Sequence, residues 1–176
     1  MKNIFKIVAI ICFISFANNT YAQESADKYE RNFKFGVGLN TGIPLNDPYE
    51  YNIGGDVRVQ YNISETYSLS FTTGYNSIFV DNGAENFNYV PVKVGYKTFL
   101  FSNEFYVMGE IGAAISVTSE YSKSSMIFSP SLGYAMKNID ISIRYENLKD
   151  LPILKDDVTD KGLSQIMVRL AYGFDL

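Results

Sequence analysis

The chain has 176 residues, with 15 Lys plus Arg against 19 Asp plus Glu for a formal net charge of −4, 47% apolar residues, one cysteine and no histidine. That balance excludes a nucleic-acid binder, which needs a clustered basic surface, and a single cysteine closes no internal disulfide. Without histidine, the side chain best tuned for proton transfer near neutral pH is missing.

The chain opens MKNIFKIVAIICFISFANNTYAQ, with Lys2 and Lys6 ahead of an apolar run from Ile7 to about Ala17 and a small-residue site at Thr20-Tyr21-Ala22. This is the pattern of a secretory signal peptide over residues 1–22, cut before Gln23, with an apolar part too short to span a bilayer comfortably. Cys12 sits inside the run rather than at a cut, so it reads as filling and the mature chain carries no thiol. Removal of residues 1–22 takes away two lysines and no acid, moving the formal charge from −4 to −6. The remainder suits one domain of ordinary size. It contains no apolar run near the roughly 18 residues of a membrane helix, so any crossing of a membrane must be made by strands.

After a polar leader, residues 23–32, alternating segments recur to the C-terminus. FKFGVGLNTGI (33–43) puts Phe33, Phe35, Val37 and Leu39 on one face, and NIGGDVRVQYNI (52–63) sets Ile53, Val57, Val59, Tyr61 and Ile63 against Asp56, Arg58, Gln60 and Asn62. TYSLSFTTGYNSI (66–78), NYVPVKVGYKTF (88–99) and EFYVMGEIGAAISV (104–117) repeat the pattern. SMIFSPSLGYAM (125–136), IDISIRYEN (139–147) and LSQIMVRLAYGFDL (163–176) complete it. Period-2 alternation is that of a strand with two chemically distinct faces. Several of these eight segments reach or exceed the roughly 9–11 residues of a tilted membrane strand. Links after the second, fourth and sixth strands are short, whereas PLNDPYEYN, FVDNGAEN, TSEYSKSS and NLKDLPILKDDVTDKG (147–162) are longer. Short turns at one end and long loops at the other predict an all-β, closed, eight-stranded antiparallel up-and-down barrel over residues 33–176.

Alternation alone does not say which face is wet, but the composition of the polar face does. It carries Gly36, Gly38, Gly54, Ser70, Gly74, Gly95, Gly112, Ala114, Ser131, Gly133, Ala135, Ala171 and Gly173. Glycine weakens a strand and gains nothing from water, whereas an eight-stranded barrel has an interior just wide enough for side chains. Both signs of charge lie on this face: Asp56, Glu110, Asp140 and Glu146 beside Lys34, Arg58, Lys93, Lys97, Arg144 and Arg169. Turned to lipid, a basic residue near the midplane costs about 2–4 kcal/mol. The expectation is therefore a lumen locked by an ion-pair network of Asp56, Arg58, Lys93, Glu110, Arg144, Glu146 and Arg169, with the apolar face outward. Aromatic residues near strand ends, among them Tyr51, Tyr61, Tyr67, Tyr75, Phe79, Tyr89, Phe99, Phe105, Tyr134, Tyr145, Tyr172 and Phe174, match interfacial girdles. The alternatives are a soluble secreted or periplasmic barrel of lipocalin shape, apolar face inward around a ligand, and a narrow small-solute pore.

The signal ending TYAQ, the first strand FKFGVGLNTGIPL, DVRVQYNI, YVPVKVGYK and the closing RLAYGFDL resemble the eight-stranded outer-membrane β-barrel family of the OmpA/OmpX type, in the form common in Gram-negative Bacteroidetes. The resemblance covers residues 31–176 and implies an integral protein of the cell outer membrane, a monomer in contact with outer-membrane lipid, with outer loops free to meet a protein or surface ligand. The family often ends its last strand on an aromatic residue; here Phe174 is followed by Asp175 and Leu176. Barrel enzymes resembling this fold use a histidine base, so the chain reads as no enzyme and as needing no cofactor or metal.

Glu110 and Glu146 form a carboxylate pair better explained by lumen ion pairs than by catalysis. Asp156, Asp157 and Asp160 offer oxygen ligands but match no calcium-loop spacing. In the same loop Leu148, Leu151, Ile153 and Leu154 are apolar where solvent favours polar groups, so they either fold over the barrel rim or form a contact surface for a partner.

Overall fold

A computed structural model describes residues 32–47, 49–80, 86–100, 104–118, 124–149 and 162–175. The expected signal peptide and all but Asn32 of the leader lie outside these. Eight strands follow in chain order: β1 (Phe33–Pro44), β2 (Tyr49–Asn62), β3 (Tyr67–Val80), β4 (Phe87–Leu100), β5 (Phe105–Ser116), β6 (Ser125–Ala135), β7 (Ile139–Lys149) and β8 (Leu163–Asp175). Each pairs antiparallel with the next, and β8 returns to β1 through pairs from Lys34↔Asp175 to Pro44↔Gln165, so the barrel is closed and no sheet edge is left open. At 11 to 14 residues, every strand is long enough to cross a bilayer at a tilt.

One connection differs from expectation. The first link, read as long from its Pro, Asn and Asp content, is only residues 45–48, because β1 runs on to Pro44 and β2 begins at Tyr49. Backbone pairing overrides the local turn signals there: the Leu45 amide donates to the Ser164 carbonyl of β8 (2.7 Å), extending the ladder past β1. Two prolines sit inside strands at a definite cost. The β3–β4 ladder breaks between Thr73↔Val92 and Asn76↔Tyr89, at Pro91, and the β6–β7 ladder between Phe128↔Asn147 and Ser131↔Arg144, at Pro130. Proline has no N–H to give the ladder, and each retains only its other neighbour, through Pro91↔Ala114 and Pro130↔Gly109.

The two faces are inverted relative to a soluble sheet. Leu39, Ile53, Val94, Ile111, Met126, Leu132, Ile143 and Leu170 are exposed on the outside, while Asp56, Arg58, Lys93, Glu110, Arg144, Glu146 and Arg169 are buried inside. The apolar faces of the strands point outward and the interior is dominated by charged and polar side chains, with one apolar cluster packed at its loop end, so the lipocalin alternative is corrected: a carrier of greasy ligands needs its oily face inward. Outside, ring pairs mark the strand ends, with Phe33–Tyr61, Tyr67–Tyr96, Phe105–Tyr134 and Tyr172–Phe174 at the short-turn end and Tyr51–Phe79 at the loop end.

Small inward residues make room for large ones. A Cβ at Gly38 would stand 2.8 Å from Nε of Arg169, and one at Gly133 would strike the Tyr106 ring. Glycine is needed at these two positions because the lumen is narrow, so a bulky side chain from one strand must lie on bare backbone of another.

Candidate functional site

The lumen is filled by a polar network capped at the loop end by an apolar layer. The alternation of β2, β4, β5, β7 and β8 aims the charged residues inward, and antiparallel register brings residues distant in sequence to one level. Arg169 of β8 grips Asp56 of β2 in a fork, Nη2 donating to Oδ1 (2.6 Å) and Nε to Oδ2 (2.9 Å), while the Asn40 amide donates to the same Oδ2 (2.8 Å). Bidentate Arg–carboxylate geometry is among the strongest hydrogen-bonded pairings available to side chains.

At the centre, three cations surround two carboxylates. Arg58 Nη2 lies 3.3 Å from Glu110 Oε1; Lys93 Nζ is 2.9 Å from Glu146 Oε2 and 3.7 Å from Glu110 Oε2; Arg144 reaches Glu146 at 3.5 Å and Glu110 at 3.9 Å. Hydroxyls complete the shells, with Thr72 donating to Glu110 (2.8 Å) and Ser129 to Glu146 (3.0 Å). All seven residues of the expected network are thus brought together, Asn40 linking the Asp56 fork to Arg144 at 3.4 Å. Such charges are tolerated inside only because each has a partner. Both carboxylates are buried among these cations, and neither is open to solvent.

Two charges absent from that set extend it toward the short turns. Asp140, next to the first residue of β7, accepts from Lys97 Nζ (2.9 Å) and the Tyr106 hydroxyl (2.7 Å) and lies 3.6 Å from Arg169 Nη1. Lys97 Nζ also sits 3.7 Å from the centroid of the Tyr106 ring, a cation–π contact. Both residues were visible on the polar face of the sequence; their membership in the network follows from register.

Toward the loop end the chemistry changes. Tyr89 donates to Glu146 (2.9 Å), and Gln165 donates to both Tyr89 and Glu146 (3.1 Å each). Above them Ile78, Phe87, Tyr89, Ala114, Ile127, Leu148 and Leu163 pack into one buried cluster. Tyr89 and Phe99, read as girdle residues, turn inward instead: they share the odd parity of Lys93 on β4, and Phe99 packs on Tyr106. That parity was the signal, and ring chemistry obscured it. Leu148 is likewise corrected. It belongs to β7, paired with Ile127 and Leu163, and at 0% exposure it is a lumen plug residue rather than part of a loop surface. Its companions Leu151, Ile153 and Leu154, and also Asp156, Asp157 and Asp160, lie outside the described residues. Among the described residues no group of three or more His, Cys, Asp or Glu is placed to hold a metal ion.

No protein-family model and no curated protein matches the chain. Solved structures do. The crystal structure of Ail, the attachment invasion locus protein of Yersinia pestis, in complex with the heparin analogue sucrose octasulfate, aligns at 17% identity over 82% of this chain and 99% of that one, with a TM-score of 0.53. The fold is shared with outer-membrane barrels. The backbone structure of Ail in a phospholipid bilayer nanodisc aligns at 14% identity over 80% of this chain and 99% of that one, TM-score 0.54. A de novo designed transmembrane β-barrel aligns at 13% identity over 80% of this chain and 95% of the design, TM-score 0.51. At these identities the likeness is one of architecture.

Proposed function

We propose that the mature chain is an integral protein of a Gram-negative outer membrane, with a structural or surface-interaction role rather than a catalytic one. The observation that carries this reading is the inversion of the two faces: a continuous exposed apolar belt outside, and buried ion pairs within. Hydrocarbon is the solvent that makes both halves favourable at once, and a closed barrel is one of the two ways a backbone can cross it with every polar group satisfied. The fold shared with Ail, described as an outer-membrane protein in a bilayer nanodisc, supports the same location.

Recognition would then fall to the links at the loop end. A polyanion such as the sulfated sugar bound by Ail suits these links poorly, because they carry Asp47, Asp81, Glu85, Glu120, Asp150, Asp156, Asp157 and Asp160 against Lys123, Lys155 and Lys161. A cationic partner is the better complement. The pore reading is opposed by the apolar cluster that fills the loop end of the lumen. Heat-dependent gel migration of protein recovered from the outer-membrane fraction, together with precipitation on withdrawal of detergent, is the expected behaviour. Spin labels at Val59 and Leu170 shielded from a lipid-dissolved quencher, with one at position 58 accessible, would overturn the reading.

A further inference from the structure

The outer face is not uniformly smooth. Near the short-turn end, Leu100, Phe105, Leu132, Tyr134, Ile141 and Ile143 border a groove of about 560 Å³ whose lining is almost wholly apolar. Its floor is backbone at Gly133 and Ser142, paired across β6 and β7, whose side-chain directions are turned to the lumen and so leave the outer surface between Leu132, Ile141 and Ile143 open. A volume of this size falls within the range of small-molecule sites, about 300–1,000 Å³. Charge stands at the rim. Glu104, just before β5, accepts a hydrogen bond from the Tyr134 hydroxyl (2.7 Å), and Lys137 lies in the turn joining the two strands that carry Tyr134 and Ile141.

We infer that this groove holds one acyl chain of a zwitterionic, amine-bearing phospholipid from the leaflet at the short-turn rim. The chain would lie against Phe105, Leu132, Ile141 and Ile143. The headgroup would set its ammonium toward Glu104 and its phosphate toward Lys137, with Tyr134 marking the boundary between oil and water as interfacial rings do. A purely anionic lipid satisfies Lys137 but meets the Glu104 carboxylate, so charge complementarity favours the ethanolamine headgroup over the glycerol one. The inference rests on the membrane reading above, and the test separates the two.

Full-length mature protein is reconstituted into vesicles of equimolar phosphatidylethanolamine and phosphatidylglycerol, and the lipid it retains on extraction into mild detergent is identified by native mass spectrometry. One bound phosphatidylethanolamine is expected. Glu104→Gln lowers its excess over phosphatidylglycerol by about two- to fivefold, the scale of one exposed charge pair. Ile141→Trp, which fills the groove while keeping the outer face apolar, abolishes retention. Equal retention of the two lipids by the native protein, or unchanged retention by the tryptophan variant, overturns the inference while leaving the barrel in the membrane. Failure of the protein to enter vesicles at all sinks the membrane reading itself, and the lipid site with it.

Discussion

Glu110 offers the sharpest test of the lumen. Its carboxylate is completely buried, with Arg58 at 3.3 Å, Lys93 at 3.7 Å and Arg144 at 3.9 Å. Glu110→Gln keeps the shape and leaves an amide oxygen for the Thr72 hydroxyl, so no cavity confuses the result. What changes is charge: three central cations then face Glu146 alone. Removing one partner of a buried ion pair costs about 3–5 kcal/mol, because the remaining charge stays desolvated without compensation. At a slope of about 2 kcal/mol per molar urea, that lowers the midpoint of reversible folding into vesicles by on the order of 2 M. The assay is urea titration followed by circular dichroism and by the heat-dependent gel shift. Adding Arg58→Gln restores the original excess of one central cation, and the double variant is expected to recover about 0.5–3 kcal/mol relative to simple addition. A single variant within about 0.5 kcal/mol of the native protein, the range of ordinary surface substitutions, would refute the reasoning. So would a double variant showing no coupling.

Three further substitutions probe other layers. Leu170→Arg, at an exposed position in mid-β8, is expected to cost about 2–4 kcal/mol in lipid vesicles, against almost nothing if the face met water, as read by the same urea titration. Leu148→Ala is expected to destabilise by about 2–5 kcal/mol, the loss for a large-to-small change in a packed core, whereas a loop contact residue would leave the folding midpoint unmoved. Gly133→Ala drives a methyl group into the Tyr106 ring and should cost about 1–3 kcal/mol, with Tyr106→Leu relieving most of it. Retained stability in Gly133→Ala alone would show that the ring has room to move.

Much of this molecule was legible without coordinates. Period-2 alternation has only two outcomes, so Val57, Val59 and Tyr61 must lie opposite Asp56, Arg58 and Gln60 whatever the tertiary context. The presence of both signs of charge among glycines and serines then decides which side is inside, since lipid rejects isolated charge and a narrow lumen demands small residues. Strand number and the closed topology follow from the same reasoning. Partnership across the lumen does not. Asp56 meets Arg169 across a separation of 113 residues, and Tyr89 meets Glu146 across 57, because register and barrel closure set the level at which each side chain arrives. The same closure drew Leu148 out of its apparent loop into the plug and shortened the first link to four residues. Local chemistry specifies which way a side chain points, because strand sterics act residue by residue. What it meets there depends on the stagger of all eight strands, a property of the closed sheet that no single segment contains.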